Sequence, residues 1–318
     1  MIDDPFQYLT FRGTFGRTFL LFFDRFDLYM AISAVVMVPF VLFFVSAIVL
    51  LVWSFFSMED PEELAGLVGF LVFGIEFLVY ALATVIGKGA VTYAVAKVYT
   101  GEHPEWRECL KKAWSRKWHL LGASLLVDGT IFLGLMLIAG FLFFFIFFPN
   151  GFTITLLVVA SLVFSLGVAY AYSGVMLVTP STMVESFSPI KAVKRSWELS
   201  TGSRCYLVCT MMSLYCCLLV VTAFLVNLFG SRNMVSPLDL VIRIVPLSLY
   251  FPLHSIIQTV LYLNLRVGRE SMNHTVISGD LMTNSASLPS RFGNRDPSPD
   301  SIDYRHVPLM DEGDDGNP

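Results

Sequence analysis

Charge is scarce in this chain. Only 14% of its 318 residues are Asp, Glu, Lys or Arg, against about 25% in a soluble domain. A composition this poor in charge excludes a cytosolic enzyme, a nucleic-acid binder and a disordered scaffold. The five cysteines are an odd count with no framework spacing, which argues against a disulfide-stapled secreted domain. The start, Met1-Ile2-Asp3-Asp4-Pro5, lacks the basic opening and small-residue cleavage site of a signal peptide, so insertion is expected to be driven by internal segments. His103 and His119 have no partner at metal-ligand spacing, and no metal or cofactor is expected. No catalytic or transport motif stands out either, so the pattern speaks first to architecture.

What the chain does have is apolar length. Hydrophobic residues make up 55% of it, with 29 Phe, and the mean hydropathy is +0.68. A helix crossing a roughly 30 Å hydrocarbon core needs about 20 apolar residues. Six runs meet that requirement, and the expected spans are 31–56, 64–96, 120–148, 153–178, 205–229 and 244–265. The second is interrupted by Glu76 and Lys88, which leaves its ends the least defined. No charge appears over residues 129–184, a stretch too long for one crossing. Pro149-Asn150-Gly151 divides it into a tight hairpin. Pro246 and Pro252 predict a bend in the last span.

Cytoplasmic loops are enriched in Lys and Arg. Nineteen of the 21 Lys and Arg fall on one side of this six-span arrangement, the side that also carries both termini, so both ends are expected in the cytoplasm. The first outer loop, Glu59-Asp60-Pro61-Glu62-Glu63, is nearly all acidic. The sequon Asn273-His274-Thr275 lies on the cytoplasmic side and is expected to stay unmodified.

One small pattern recurs before spans one, three and five: an apolar residue, one or two basic residues, a small residue and an aromatic. The copies are Phe15-Gly16-Arg17-Thr18-Phe19, Leu110-Lys111-Lys112-Ala113-Trp114 and Val193-Lys194-Arg195-Ser196-Trp197. The third has the strongest helix signals, with Ser188 as N-cap, Pro189 at the first helical position and Gly202 just past the end. Ile190, Val193 and Trp197 fall on one of its faces, and Lys191, Lys194, Arg195 and Glu198 on the other. Phe11, Phe15, Phe19, Phe22 and Phe26 form a looser version at the start of the chain. A basic amphipathic helix with aromatics on its apolar side lies in the membrane interface, with its cations toward lipid phosphates. The expected lipid-interface residues are therefore Arg17, Lys111, Lys112, Trp114, Lys194, Arg195 and Trp197, and anionic lipid is the expected partner. The bland alternative is that these helices only anchor and orient the hairpins.

The stretch Glu185-Ser186-Phe187-Ser188-Pro189-Ile190-Lys191-Ala192-Val193-Lys194-Arg195-Ser196-Trp197-Glu198-Leu199 resembles the signature of a polytopic domain found ahead of the catalytic domain in some bacterial glycerophosphoryl diester phosphodiesterases. Tyr99-Thr100-Gly101-Glu102 through Trp114 is similar to a loop pattern of plant membrane proteins of uncharacterised function. The resemblance covers roughly residues 8–268 and implies a six-helix membrane architecture. It does not carry over the phosphodiesterase activity, because the barrel that holds those catalytic residues has no counterpart in this sequence.

Charges inside a span cost several kcal/mol unless paired or wet, so each marks a candidate site. Glu76, Lys88 and Asp128 qualify. Lys88 and Asp128 fall at similar depths and are expected to pair, and a proton or ion relay that includes Glu76 is the functional alternative. His254, between Pro252 and Gln258, is either a wet-cavity residue or a hydrogen-bonded core histidine. Small-residue ridges at Ala83, Gly87, Ala90 and Ala94 and at Ser161, Ser165, Ala169 and Ser173 should let spans two and four pack centrally. Cys205, Cys209, Cys216 and Cys217 cluster in span five. Thiolate metal ligation there is disfavoured, while palmitoylation of Cys205 fits its position.

Residues 267–318 shift toward Ser, Pro, Asn, Gly and Asp, a composition expected to be disordered. Within them Tyr304-Arg305-His306-Val307 resembles a tyrosine-based sorting signal read by clathrin adaptors, with Tyr304 and Val307 as its anchors, and Ser298-Pro299 is a phosphorylation candidate. The expected protein is all-α, with a transmembrane domain over residues 1–266 built from three repeats of interfacial helix plus hairpin, followed by an acidic tail. The leading function is a non-enzymatic membrane organiser or trafficking adaptor. The runner-up is a small-solute or ion transporter or channel using Glu76, Lys88 and Asp128. Neither a substrate, nor a compartment, nor a protein partner can be read from the residues.

Overall fold

The computed structural model describes residues 9–56, 63–147, 151–229, 237–270, 276 and 279–281, and all regular structure among them is α-helical. Six long helices dominate: α2 (Phe26–Phe56), α3 (Glu63–Tyr99), α5 (Lys117–Phe147), α6 (Gly151–Val175), α9 (Arg204–Phe229) and α10 (Pro237–Glu270). Between them lie α1 (Phe11–Asp24), α4 (Trp106–Ser115), α7 (Val178–Val184) and α8 (Pro189–Ser200). Four stretches, Phe26–Leu50, Leu71–Tyr99, Val163–Val184 and Arg204–Leu225, are long and apolar enough to cross a membrane, and they mark this as a membrane protein.

Helices α2, α3, α5, α9 and α10 run beyond the expected apolar runs at one end or both, because they continue past the point where charge begins. At about 1.5 Å per residue the 34-residue α10 is much longer than a hydrocarbon core is thick, and it ends in Arg266, Arg269 and Glu270. The border expected at 267 is therefore too early. The helix runs on to Glu270, and further along Leu281 is buried in the core. Pro246 and Pro252 both sit within this one continuous helix.

Helices α3, α7 and α10 pack on one another at the centre, and α2, α5 and α9 lie outside them. Each outer helix carries exposed large apolar side chains, such as Val38 and Leu42 on α2, Phe132 and Leu133 on α5, and Leu219 and Val220 on α9. The small-residue ridge of α3 works as expected, since a Cβ on Gly87 would collide with Val36 of α2 and Phe251 of α10. The ridge of α6 does so only at its end. Ser173 is fully buried, but Ser165 is exposed, and α10 takes the second central place instead. Every residue of α10 from Phe251 to Arg266 is buried.

The three short helices before the outer helices dock in a cyclic order. The helix α4 packs on α3, α8 packs on α6 and α7, and α1 packs on α10. Asn264 of α10 fixes the entry to α1 by binding the backbone of Leu9 both ways: its amide oxygen accepts from the Leu9 N–H at 2.6 Å, and its amide nitrogen donates to the Leu9 carbonyl at 2.9 Å.

The span expected over 153–178 breaks at Met176 and Leu177, and α7 starts afresh at Val178. The break has a local cause. Ser196 of α8 inserts its hydroxyl there, donating to the Gly174 carbonyl at 2.7 Å and accepting from the Leu177 N–H at 3.2 Å. Two backbone groups leaving the helical ladder are thus satisfied by one side chain. Gly174 must be glycine because a Cβ would run into the Trp197 ring.

Candidate functional site

In each short helix, two small or compact residues four apart are fully buried: Thr14 and Thr18 in α1, Cys109 and Ala113 in α4, and Ala192 and Ser196 in α8. The second of each pair is the small residue of the recurring sequence pattern, and four residues return a helix to the same face. Thr14 and Tyr206 share a hydroxyl–hydroxyl bond of 2.6 Å, and Thr18 donates to the Thr14 carbonyl at 2.8 Å. Ala113 lies next to Gly89 of α3, where a Cβ would touch Ala113 at an ordinary 3.5 Å but collide with Leu120 of α5. The aromatic that follows the small residue is exposed in two copies, Trp114 at 51% and Trp197 at 43%, and half-buried in the first, Phe19.

This burial differs from the expected amphipathic division. The buried face of α8 is Ala192, Ser196, Leu199 and Ser200, while Ile190 and Trp197 are exposed. Small side chains let a helix lie close on its neighbour, and the large apolar ones are then left to face outward. Ser188 occupies the N-cap position with extended backbone but makes no side-chain capping bond, and Gly202 beyond the end has φ +81°.

The cations of the three helices divide into two groups. Lys111, Lys191 and Lys194 are exposed, and Lys112 is half-buried. Burial, then the neighbouring Arg116 and Lys97, lowers the Lys112 pKa from its usual value. Arg17 lies over the Tyr99 ring at 5.3 Å, and Lys117 lies over the Trp114 ring at 4.6 Å. Arg195 points inward to a carboxylate network.

That network centres on Glu185, the first residue after α7, whose side chain is only 7% exposed. Arg195 of α8 donates to both its oxygens through Nε at 3.1 and 3.2 Å, and Arg266 of α10 approaches it at 3.2 Å. The Tyr262 hydroxyl also donates to it. Arg195 continues to Glu270, and Arg266 reaches Glu270 at 3.1 Å and Asp280 at 3.1 Å. Burial disfavours the Arg195 guanidinium, but Glu185 and Glu270 outweigh it and hold the pKa above its usual value. The network ties α7, α8, α10 and the segment around Asp280 together. Next to it Ser186 has φ +61° and a buried hydroxyl without a hydrogen-bond partner among the described residues. A left-handed backbone costs an L-residue about 1–2 kcal/mol, so Ser186→Gly is expected to raise thermal stability modestly, as read from the unfolding midpoint in detergent.

The three charges expected within the spans lie apart. Glu76 of α3 accepts from Ser46 of α2. Asp128 accepts from Ser124, one turn earlier on its own helix. Lys88 lies in electrostatic range of His254. The expected ion pair between Lys88 and Asp128 does not form among the described residues. The reason is that α5 meets α3 near its own start, through Leu120 packed at Gly89, while Asp128 and most described residues beyond Leu125 are exposed. His254 is buried beside Gln258 at 3.5 Å, and Gln258 reaches the Tyr172 hydroxyl at 3.4 Å.

Cys109 is fully buried, and burial with Glu108 nearby pushes its thiol up to about 12. Cys205, Cys209, Cys216 and Cys217 are exposed on α9. No group of three potential metal ligands occurs among the described residues. Tyr304 and Val307, the sequon and the acidic outer loop up to residue 62 lie outside the described residues.

Glu185, Tyr262 and Arg266 were not singled out by the sequence patterns. One signal was available: Glu185 is the first charge after the uncharged stretch 129–184. Taken together, the fold and this surface define an all-helical membrane protein. No family model matches the chain, no curated protein matches it, and no solved structure matches it, so the functional reading rests on the geometry.

Proposed function

We propose that this is a non-enzymatic, six-span membrane organiser whose short helices α1, α4 and α8 lie in the cytoplasmic interface and gather anionic lipid. The single observation that carries the reading is the shared register of the three helices. Each buries a pair of compact residues four apart and leaves the following aromatic at the surface or half-buried. The same placement exposes Lys111 and Lys194, which can meet lipid phosphates while Trp114 and Trp197 sit at headgroup depth. In this reading the chain is three copies of one unit closed into a ring, in keeping with the polytopic-domain resemblance of its sequence, and both termini are cytoplasmic. Arg17 and Arg195, held by Tyr99 and Glu185, position the helices rather than the lipid. The tail motif at Tyr304 and Val307 would add a clathrin-adaptor contact.

Quenching by brominated lipid tests the lipid contact. In protein that keeps only Trp114 and Trp197 as tryptophans, brominated phosphatidylglycerol should quench more strongly than brominated phosphatidylcholine. A lysine near an anionic surface contributes about 1 kcal/mol, so Lys111→Gln with Lys194→Gln should reduce that preference several-fold. Equal quenching by both lipids in the unsubstituted protein would remove the reading.

A transporter is the second reading, and a specific observation favours it. His254, Gln258, Tyr172, Tyr215 and Tyr250 form a polar cluster between α6, α9 and α10, with Lys88 in electrostatic range. Solute or proton flux into liposomes that disappears in Lys88→Met or Asp128→Asn would replace the organiser with a transporter.

A further inference from the structure

A cavity of about 370 Å³ lies between the start of α2 and the start of α4, lined by Arg25, Asp27, Leu28, Pro104, Glu105, Trp106 and Arg107. That volume is at the lower end of small-ligand sites. Two cations and two carboxylates face it, so its formal charge is balanced, yet none of the four neutralises another across it. Among the described residues Arg25 pairs only with its neighbour Asp24, at 3.6 Å, and the Arg25 Nε is buried without a hydrogen-bond partner. Among the described residues Arg107 makes only a cation–π contact with Trp106, at 5.2 Å. Asp27 and Glu105 take part in no ion pair among the described residues. Glu105 is the N-cap of α4 but makes no side-chain capping bond. The first N–H groups of that helix are thus left for another acceptor, and a helix N-terminus favours an anion.

Charges of both signs held apart around one cavity suit a ligand that is itself neutral overall but carries separated charges. We propose that the cavity binds the headgroup of phosphatidylethanolamine, with its phosphodiester against Arg25, Arg107 and the α4 N-terminus, and its primary ammonium against Asp27 and Glu105. A primary ammonium donates three hydrogen bonds to carboxylates, which a quaternary one cannot do. The source is membrane lipid rather than a free phosphoester because of where the cavity sits. The stretch long enough to cross the membrane begins at Phe26, and the exposed side chains of Leu20, Phe23 and Phe26 lie at that boundary, where acyl chains start. The site rests on the interfacial placement of α1 and α4 proposed above, but not on their affinity for anionic lipid.

The test uses the full chain in nanodiscs holding equal phosphatidylethanolamine, phosphatidylcholine and phosphatidylglycerol with identical acyl chains. After mild delipidation, native mass spectrometry counts the lipids retained. Phosphatidylethanolamine should be the preferred retained lipid. Arg107→Gln, at an exposed position, should lower that preference about tenfold through loss of a charge-assisted bond, with the unfolding midpoint unchanged. Asp27→Asn with Glu105→Gln should erase discrimination between the ethanolamine and choline lipids. Excess soluble glycerophosphoethanolamine distinguishes the sources. Failure to displace the lipid supports membrane lipid as the ligand, and displacement coupled with loss of lipid retention overturns it in favour of the free phosphoester. Equal retention of the three lipids, or retention indifferent to Arg107→Gln, overturns the site. Lys111→Gln with Lys194→Gln serves as the separating control. It should leave the ethanolamine preference intact while lowering phosphatidylglycerol, so the two readings fail independently.

Discussion

Glu185→Ala should be the most destabilising single substitution in the described part of the chain, lowering stability by about 3–5 kcal/mol. The magnitude follows from what is left behind. Arg266 is 6% exposed, and it would lose the most buried of its three carboxylate partners. Arg195 would keep Glu270, and Arg266 would keep Glu270 and Asp280, so the network would be broken at its most buried member rather than dissolved. The Tyr262 hydroxyl would also lose its acceptor in a fully buried position. Thermal unfolding in detergent, followed by circular dichroism, would show a large drop in midpoint. Glu185→Gln should fall between the two, because it keeps an acceptor oxygen for Tyr262 while removing the charge. A midpoint within a degree or two of the unsubstituted protein for Glu185→Ala would show that the network does not hold the three helices together.

The second large effect is expected at Ser196. Removing its hydroxyl in Ser196→Ala leaves the Gly174 carbonyl and the Leu177 N–H unpaired in a buried place. A buried polar group stripped of its partner costs about 1–3 kcal/mol. Part of this can be relieved if residues 174–178 close into continuous helix, because the ladder bonds that the break omits would then form. That relief would move Trp197 off Gly174, so the expected result is a lower unfolding midpoint together with a shifted Trp197 emission. Ser196→Thr is the control that keeps the hydroxyl. An unchanged midpoint and an unchanged emission in Ser196→Ala would mean that the break at Met176 and Leu177 has another cause.

The positions of the long helices were legible because their signal is additive. Lipid solvates no backbone, so a run of apolar residues long enough to span must be helical, and such runs placed α2, α3, α5, α6 and α9 to within a few residues at most ends. The last helix was legible in place but neither in its full extent, 237–270 against the expected 244–265, nor in role. Its residues His254, Ser255, Gln258, Thr259, Asn264 and Arg266 lower its apolar character. They are tolerated because the helix is buried among neighbours that supply partners, as Thr92 does for Thr259 at 3.3 Å and Leu9 does for Asn264. A centre-of-bundle helix has no lipid face to advertise itself.

The candidate site was legible in part. The recurring pattern before three of the helices located Thr18, Ala113 and Ser196, and set Ile190, Val193 and Trp197 on an apolar side toward the membrane interface, but gave the small residues no packing role. In α8 the face that meets the rest of the protein is Ala192, Ser196, Leu199 and Ser200, because close approach of two helices selects for small side chains and an apolar solvent accepts large ones outside. Arg195 was placed in the basic set by its neighbours in sequence, whereas Glu185 and Glu270, 10 and 75 residues away, decide where its guanidinium goes. The expected pairing of Lys88 with Asp128 failed for a related reason. Equal depth along two helices says nothing about which faces they turn to each other.

By itself the amino-acid sequence determined that this chain lives in lipid as a set of long helices with short basic helices between them. Those properties follow from transfer free energies summed along contiguous residues. Only the tertiary structure decided that α10 is central, that Glu185 gathers two arginines, that α6 breaks to admit Ser196, and that four charges that do not pair with one another ring one cavity. Each of these depends on side chains distant in sequence arriving within a few ångströms of one another, and such meetings are set by how helices rotate and cross.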